Sequence, residues 1–148
     1  MPTTANTSPF LAKNFRVEID NITNTTFTEV SGLAAVIEVV DYRTGGSLEN
    51  AAQKVPGLGS YPNITLRRGF IADASLWTWI SNNLTGTPDR RNISIILLDQ
   101  ADNPAWTWKL SNAWPCSWSG PNLIADSSAI AIETLEVCYE NLQSTIAT

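Results

Sequence analysis

The chain has 148 residues, a formal net charge of −5, and 43% apolar but only 16% charged residues; that is the length of one domain, with fewer charges than the quarter usual in soluble proteins. It contains no histidine, which excludes His-based triads, His general bases and His-ligated metals. Its acidic balance argues against tight binding of nucleic acid through phosphate neutralisation, and its two cysteines, outside any CxxC pair, give no zinc cluster.

A domain of this size buries about 70% of its unfolded surface and needs no disulfide staple. Cys116 and Cys138 could form a bridge in a secreted chain, but two cysteines in 148 residues are ordinary for a reduced compartment, and they are read as thiols. The low charge content points to a surface covered by partners, other copies of the chain first among them. Met1 to Leu11 has no apolar core of signal-peptide length and no leading positive charge. No run approaches the ~20 apolar residues that span a bilayer. The expectation is synthesis and folding in the cytoplasm.

In chain order, Met1 to Ser8 is small and polar and reads as a flexible arm. Phe15, Val17 and Ile19 alternate with Arg16, Glu18 and Asp20, the period of a half-buried strand. Further strands are expected at Thr26 to Ser31 and at Ala35 to Tyr42, where Glu38 shares a face with Val36, Val40 and Tyr42. Arg43 to Tyr61, with four glycines and Pro56, reads as a long loop. Ile64 to Arg68 is a short strand closed by Gly69. Asp73 is placed to cap a helix running to Leu84, with Leu76, Ile80 and Leu84 as its apolar stripe, Trp77 beside them and Trp79 at the edge. Arg91 to Leu98, Trp106 to Leu110 and Trp114 to Trp118 are strands. Ala129 to Tyr139 is the last, with a bulge near Glu133 or Thr134 to reconcile Ile130 and Ile132 with Leu135, Val137 and Tyr139. Strands joined mostly without helices give antiparallel sheets. The expected fold is a mainly β sandwich or barrel with one α-helix packed on it.

The candidate sites have plain readings beside sharper ones. Six tryptophans fall in pairs, Trp77/Trp79, Trp106/Trp108 and Trp114/Trp118. They suggest core and interface packing, or, as the alternative, a carbohydrate-binding module with an aromatic platform. Arg67 and Arg68 point to opposite faces of a strand and cannot form one phosphate clamp. Together with Arg90 and Arg91 they read as ion-pair partners. Glu133, Glu136 and Glu140 read as solvated or interface charges rather than a catalytic carboxylate pair. The six N-x-S/T sequons follow from high Asn, Ser and Thr content. Gly45-Gly46 lacks the spacing of a phosphate loop. Nothing in the sequence composes a catalytic, metal or cofactor site.

Several longer strings carry a resemblance. They are Val30-Ser31-Gly32-Leu33, Glu38, Tyr42-Arg43-Thr44-Gly45-Gly46, Pro62 to Gly69 (PNITLRRG), Asn112-Ala113-Trp114-Pro115 with Ser119-Gly120-Pro121, and Ile130 to Glu136 (IAIETLE). In this order and spacing, from about Phe15 to Gln143, the chain resembles the tail tube proteins of contractile phages and the inner tube proteins of contractile injection systems. The resemblance implies a subunit of two packed antiparallel sheets with a flanking helix. Six such subunits would form a ring whose sheets join edge to edge into a continuous β-barrel wall. Stacked rings would fill a contractile sheath, with baseplate and tube-terminating proteins at the ends and cargo or DNA passing through the lumen. It implies no catalytic site and no cofactor.

On this basis residues 1–14 are expected to be an N-terminal arm, 15–143 the tube domain and 144–148 a tail. The 43–61 segment would contact the next ring through Arg43, Thr44, Gly45, Gly46, Gly57 and Tyr61, mobile in the monomer and ordered by stacking. Arg16, Glu18, Asp20 and Glu38 are candidates to line the lumen. The helix carrying Asp73, Trp77 and Trp79 is the candidate outer, sheath-facing surface.

Overall fold

The computed structural model describes residues 8–23, 25–43, 45 and 53–146. Their elements are β1 (Phe15–Ile19), β2 (Glu29–Ser31), β3 (Val36–Tyr42), β4 (Gln53–Ser60), β5 (Ile64–Gly69), α1 (Ser75–Leu84), β6 (Arg91–Leu98), β7 (Pro104–Ser119), β8 (Ile132–Cys138) and β9 (Asn141–Ile146). All pairings are antiparallel. The mainly β architecture with one helix matches the expected class.

β7 organises the body. Residues 104–113 pair with β6, and residues 106–111 also pair with β9 on the opposite edge; residues 114–119 pair with β8. One sheet therefore runs β1–β6–β7–β9 and the other β7–β8–β5–β2, with β7 common to both. The handover lies between Ala113 and Trp114, just after Asn112, which adopts φ 53°, a left-handed conformation that asparagine tolerates better than most residues. Pro115 follows beside the β7–β8 register shift, and bulges are among the few places in a sheet where proline is found. The expected break between Trp106–Leu110 and Trp114–Trp118 is thus a kink within one strand.

The alternating residues of both sheets meet in the core. Val17, Ile19, Ile64, Leu66, Ile93, Ile95, Leu110, Leu135 and Val137 are buried there, with Leu76 and Trp79 from α1. The buried stripe of α1 is Leu76, Trp79 and Ile80. Trp77 and Leu84, expected on that stripe, are exposed. Trp79 wins the inward position because its indole N–H donates to the Asp89 carbonyl at 2.9 Å while the Arg91 guanidinium lies 5.2 Å from its ring centre. Its polar edge is thus satisfied inside the protein.

Four other expectations change. The 43–61 segment contains a full strand, β4, paired with β3; residues 44, 46–52 lie outside the described residues. β8 has no bulge, because Glu133 shares the inward parity of Leu135, Val137 and Tyr139, whereas Ile130 and Ile132 are exposed. The residues expected as domain end and tail form β9 up to Ile146. In the expected arm, residues 1–7 lie outside the described residues, while Ser8 to Leu11 lie beside the β6–β7 turn and the Asn14 carbonyl accepts from the Leu98 N–H at 2.8 Å.

Candidate assembly surfaces

The β3–β4 hairpin is the surface least explained by the subunit alone. Among the described residues its two strands pair only with each other, and every residue of both is exposed. Yet β3 reads VIEVVDY, a β-branched run of the kind found in buried strands. Ile37 is 61% exposed, Val39 60% and Leu58 81%. A two-stranded ribbon is marginal in water, and an apolar patch this continuous marks an interaction surface. Between the pairs Ile37–Gly59 and Val39–Pro56, Gly57 and Leu58 both stand opposite Glu38. A Cβ on Gly57 would come 3.0 Å from Val40 Cγ2 and 3.2 Å from the Glu38 carbonyl oxygen, so the bulge packs closely there and a larger residue would have to displace its neighbours by a few tenths of an ångström.

Of the expected loop residues, Arg43 and Gly45 are exposed beyond β3, and Thr44 and Gly46 lie outside the described residues. Tyr61 has another position: its ring stacks 5.9 Å from Tyr139 and its hydroxyl donates to Asn141 Oδ1 at 3.4 Å. It fastens the foot of the hairpin to the body.

Arg16 and Glu18 share the exposed face of β1, opposite buried Val17 and Ile19, and Asp20 is exposed in the turn just after the strand. Arg16 pairs with Glu18 at 3.3 Å. Asp20 accepts from the Asn92 N–H at 3.1 Å. Glu38 lies on the hairpin and is not brought together with them. β1 and β9 are the edges of one sheet, β2 and the end of β7 those of the other. Unpaired edges invite pairing with another chain.

The helix surface is also redistributed. Trp79 is fully buried and cannot face a sheath. Trp77 is half exposed and meets Trp118 edge to face at 5.1 Å, beside exposed Phe70 and Ile71. Trp106 donates to Ser144 of β9, and Trp108 packs against the core. The tryptophans are thus spread over core, sheet edge and helix flank, and among the described residues they form no aromatic platform of the kind a sugar module needs.

A buried ionic cluster, missed in the sequence, sets the helix on the sheet. Arg68 is 1% exposed and Glu133 3%. They stand opposite each other in the β5–β8 ladder and the Arg68 Nε donates to Glu133 Oε1. Arg68 also pairs with Asp73 at 3.5 Å and lies 5.8 Å from the Phe27 ring centre. Asp73 accepts from the Ser75 N–H at 3.0 Å and from its hydroxyl at 3.1 Å, so it caps the helix from one position before Ala74, the residue at the helix boundary. The Ser75 N–H is the main reason the Asp73 carboxyl lies below its ordinary pKa, reinforced by the Ser75 hydroxyl and Arg68 against the opposing effect of burial. Outside the core, Arg90 pairs with Glu140 at 2.6 Å and Arg67 with Glu29 at 3.3 Å. All four arginines of the two basic pairs are ion-paired, as expected, since Arg91 also pairs with Asp89 at 3.0 Å. Glu133 is the one carboxylate of its group that is neither solvated nor at an interface.

Known structures share this arrangement. A chain of the anti-feeding prophage tube-terminating cap superposes with a TM-score of 0.86 at 26% identity, covering 99% of this chain and 97% of that one. A chain of the sheath–tube complex of the PVC extracellular contractile injection system, in its extended state, gives 0.82 at 29% identity, covering 94% and 93%. A chain of the anti-feeding prophage baseplate gives 0.82 at 27% identity, covering 95% and 97%. None of the curated protein sequences matches the chain. The family model of the T4-like virus tail tube protein gp19 matches residues 11–143. With nearly its whole length matched, and with an exposed apolar hairpin and open sheet edges suited to self-association, the chain belongs to the T4-like virus tail tube protein family.

Proposed function

We propose that the chain is the repeating subunit of the inner tube of a contractile phage tail or injection system, assembling as stacked hexameric rings. The observation that carries the reading is the β3–β4 hairpin, fifteen residues of exposed and largely apolar ribbon that a lone molecule has no means to bury. Family membership and the cap, sheath–tube and baseplate neighbours support it. Edge strands pair around the ring, and the hairpin reaches the next ring along the axis. Repeated head-to-tail contacts of that kind build an open filament.

The function is structural and the subunit needs no catalytic residue. Its partners are sister copies, a contractile sheath, a baseplate and a tube terminator, within a phage or injection particle assembled in the bacterial cytoplasm. Six subunits at −5 give a ring charge of roughly −30 (6 × −5). With the Arg16 and Glu18 face of β1, and Asp20 just after it, turned inward, the lumen repels a nucleic-acid backbone and lets DNA or acidic cargo slide. Glu38, on the hairpin, belongs to the ring–ring contact rather than to that wall.

Electron microscopy of the concentrated protein tests this. The intact chain should give hollow rings and tubes. A variant with residues 43–53 replaced by a short turn and the hairpin's Ile37 and Leu58 changed to lysine should stay folded and give no tubes. Tubes of ordinary length from that variant would overturn the hairpin assignment.

A further inference from the structure

Cys116 and Cys138 are the chain's two cysteines, and the fold brings them together. In the β7–β8 ladder Trp114 pairs with Cys138 and Pro115 with Val137, and the register then shifts so that Ser117 pairs with Glu136. Cys116 is the extra residue of that bulge. A bulge residue is unpaired and its strand is locally bent, so its side chain can be re-aimed without breaking a regular ladder. Both thiols are free, Cys116 exposed and Cys138 half-buried. The Cys116 thiol reaches the Glu136 carbonyl at 3.5 Å and the Cys138 thiol the Trp114 carbonyl at 3.6 Å, each across to the other strand. Asn63 Nδ2 donates to the Cys116 sulfur at 3.6 Å and to Glu136 Oε1 at 3.0 Å.

We propose that Cys116 and Cys138 form a dithiol modification site, which a small-molecule disulfide closes into a cross-strand Cys116–Cys138 bond. In the first step the exposed Cys116 thiolate attacks one sulfur of the reagent RSSR. The S–S bond of the reagent breaks, one RS⁻ leaves, and Cys116–S–S–R forms. The Cys138 thiolate then attacks the Cys116 sulfur, the protein S–S bond forms and the second RS⁻ leaves. The two thiol protons end on the two released thiolates. The protein is oxidised by loss of two hydrogens and RSSR is reduced to two RSH.

The surroundings set the pace of these steps. Burial raises the Cys116 thiol above its ordinary pKa, with the Glu136 carboxylate adding to it. Burial, then the charge of a Cys116 thiolate, pushes Cys138 up to about 11. Thiolate is scarce near neutrality, so the dithiol is sluggish there and quickens as pH rises. Once Cys116 is capped it carries no charge, the Cys116 contribution to Cys138 disappears, and the second attack follows the first. The inference concerns one subunit and does not depend on the tube reading.

The test uses the full chain with oxidised glutathione as the probe, below the concentration at which it assembles. The expected product is a monomer lighter by two hydrogens, with no thiol open to iodoacetamide and a reducible peptide joining Cys116 to Cys138. Its rate of formation should rise about tenfold per pH unit near neutrality. Cys138→Ser should stop at a single glutathione adduct on Cys116. A wild-type product that keeps its adduct, or that links two chains together, would overturn the proposal.

Discussion

The Arg68–Glu133 pair offers a sharp test of what holds the subunit together. Glu133→Gln removes the carboxylate charge with little change of shape, and leaves the guanidinium of a residue only 1% exposed. Removing one member of a buried pair costs about 3–5 kcal/mol, because the other charge stays in a poorly solvating interior. Here Asp73 remains 3.5 Å from Arg68 and the Phe27 ring remains beneath it, which places the expected loss at the lower end, about 3 kcal/mol. At an m-value of about 2 kcal/mol/M for a chain of this size, that lowers the urea midpoint by about 1.5 M. The companion variant, Arg68→Met with Glu133→Leu, replaces both charges by apolar groups of similar volume and should return to within about 1 kcal/mol of wild type. Urea unfolding followed by tryptophan fluorescence, below the assembly concentration, measures both. A Glu133→Gln loss under about 1 kcal/mol, or a double variant no better than the single one, would refute the claim that a buried charge deprived of its closest counter-ion is the cause.

Other outcomes follow from the same geometry. Asp73→Ala should cost about 1 kcal/mol through the lost helix cap. Because the folded-state pKa of Asp73 is depressed, its contribution is complete above the ordinary carboxylate pKa and disappears as pH falls through the folded value. Wild-type urea midpoints should therefore lose an increment below about pH 4 that the alanine variant lacks. Gly32 has φ +95° and an added Cβ would sit 2.5 Å from the Asn63 carbonyl oxygen. Gly32→Ala should destabilise by about 2 kcal/mol or more in a thermal melt, and a change under about 0.5 would contradict the positive φ and the close backbone approach at this position. Ile37→Lys and Leu58→Lys, at exposed hairpin positions, should move subunit stability by no more than about 0.5 kcal/mol while abolishing tubes by sedimentation and electron microscopy.

Much of the fold was legible where one physical rule acted alone. Phe15 to Ile19 alternates in and out as its sequence does, and Ile64 to Gly69 buries every second residue. The buried pair was legible in the same way: Arg68 has the parity of Ile64 and Leu66, and Glu133 that of Leu135 and Val137. Charge obscured it, since an isolated ion would not be buried, and only strand register reveals that the two ions face each other. β4 was missed because Pro56, Gly57 and Gly59 are turn residues in most contexts, yet here they lie in an exposed two-stranded ribbon where proline and glycine are tolerated. β9, Asn-Leu-Gln-Ser-Thr-Ile, is a polar edge strand that takes its shape from β7. Trp79 and Trp77 exchanged roles for a non-periodic reason: the Asp89 carbonyl gives one indole an acceptor inside. The assembly surfaces were foreseeable as a segment, but residue by residue they depend on neighbours that hydropathy does not encode.

The shared strand β7 has a mechanical consequence. Because residues 104–113 belong to one sheet and 114–119 to the other, neither half can peel away without stripping amide partners from a spar that the other half still uses. Tension applied at either end of the subunit is carried through one uninterrupted backbone across the kink at Asn112, and no linker stands between the halves to yield first. A subunit wired in this way gives way as a single piece.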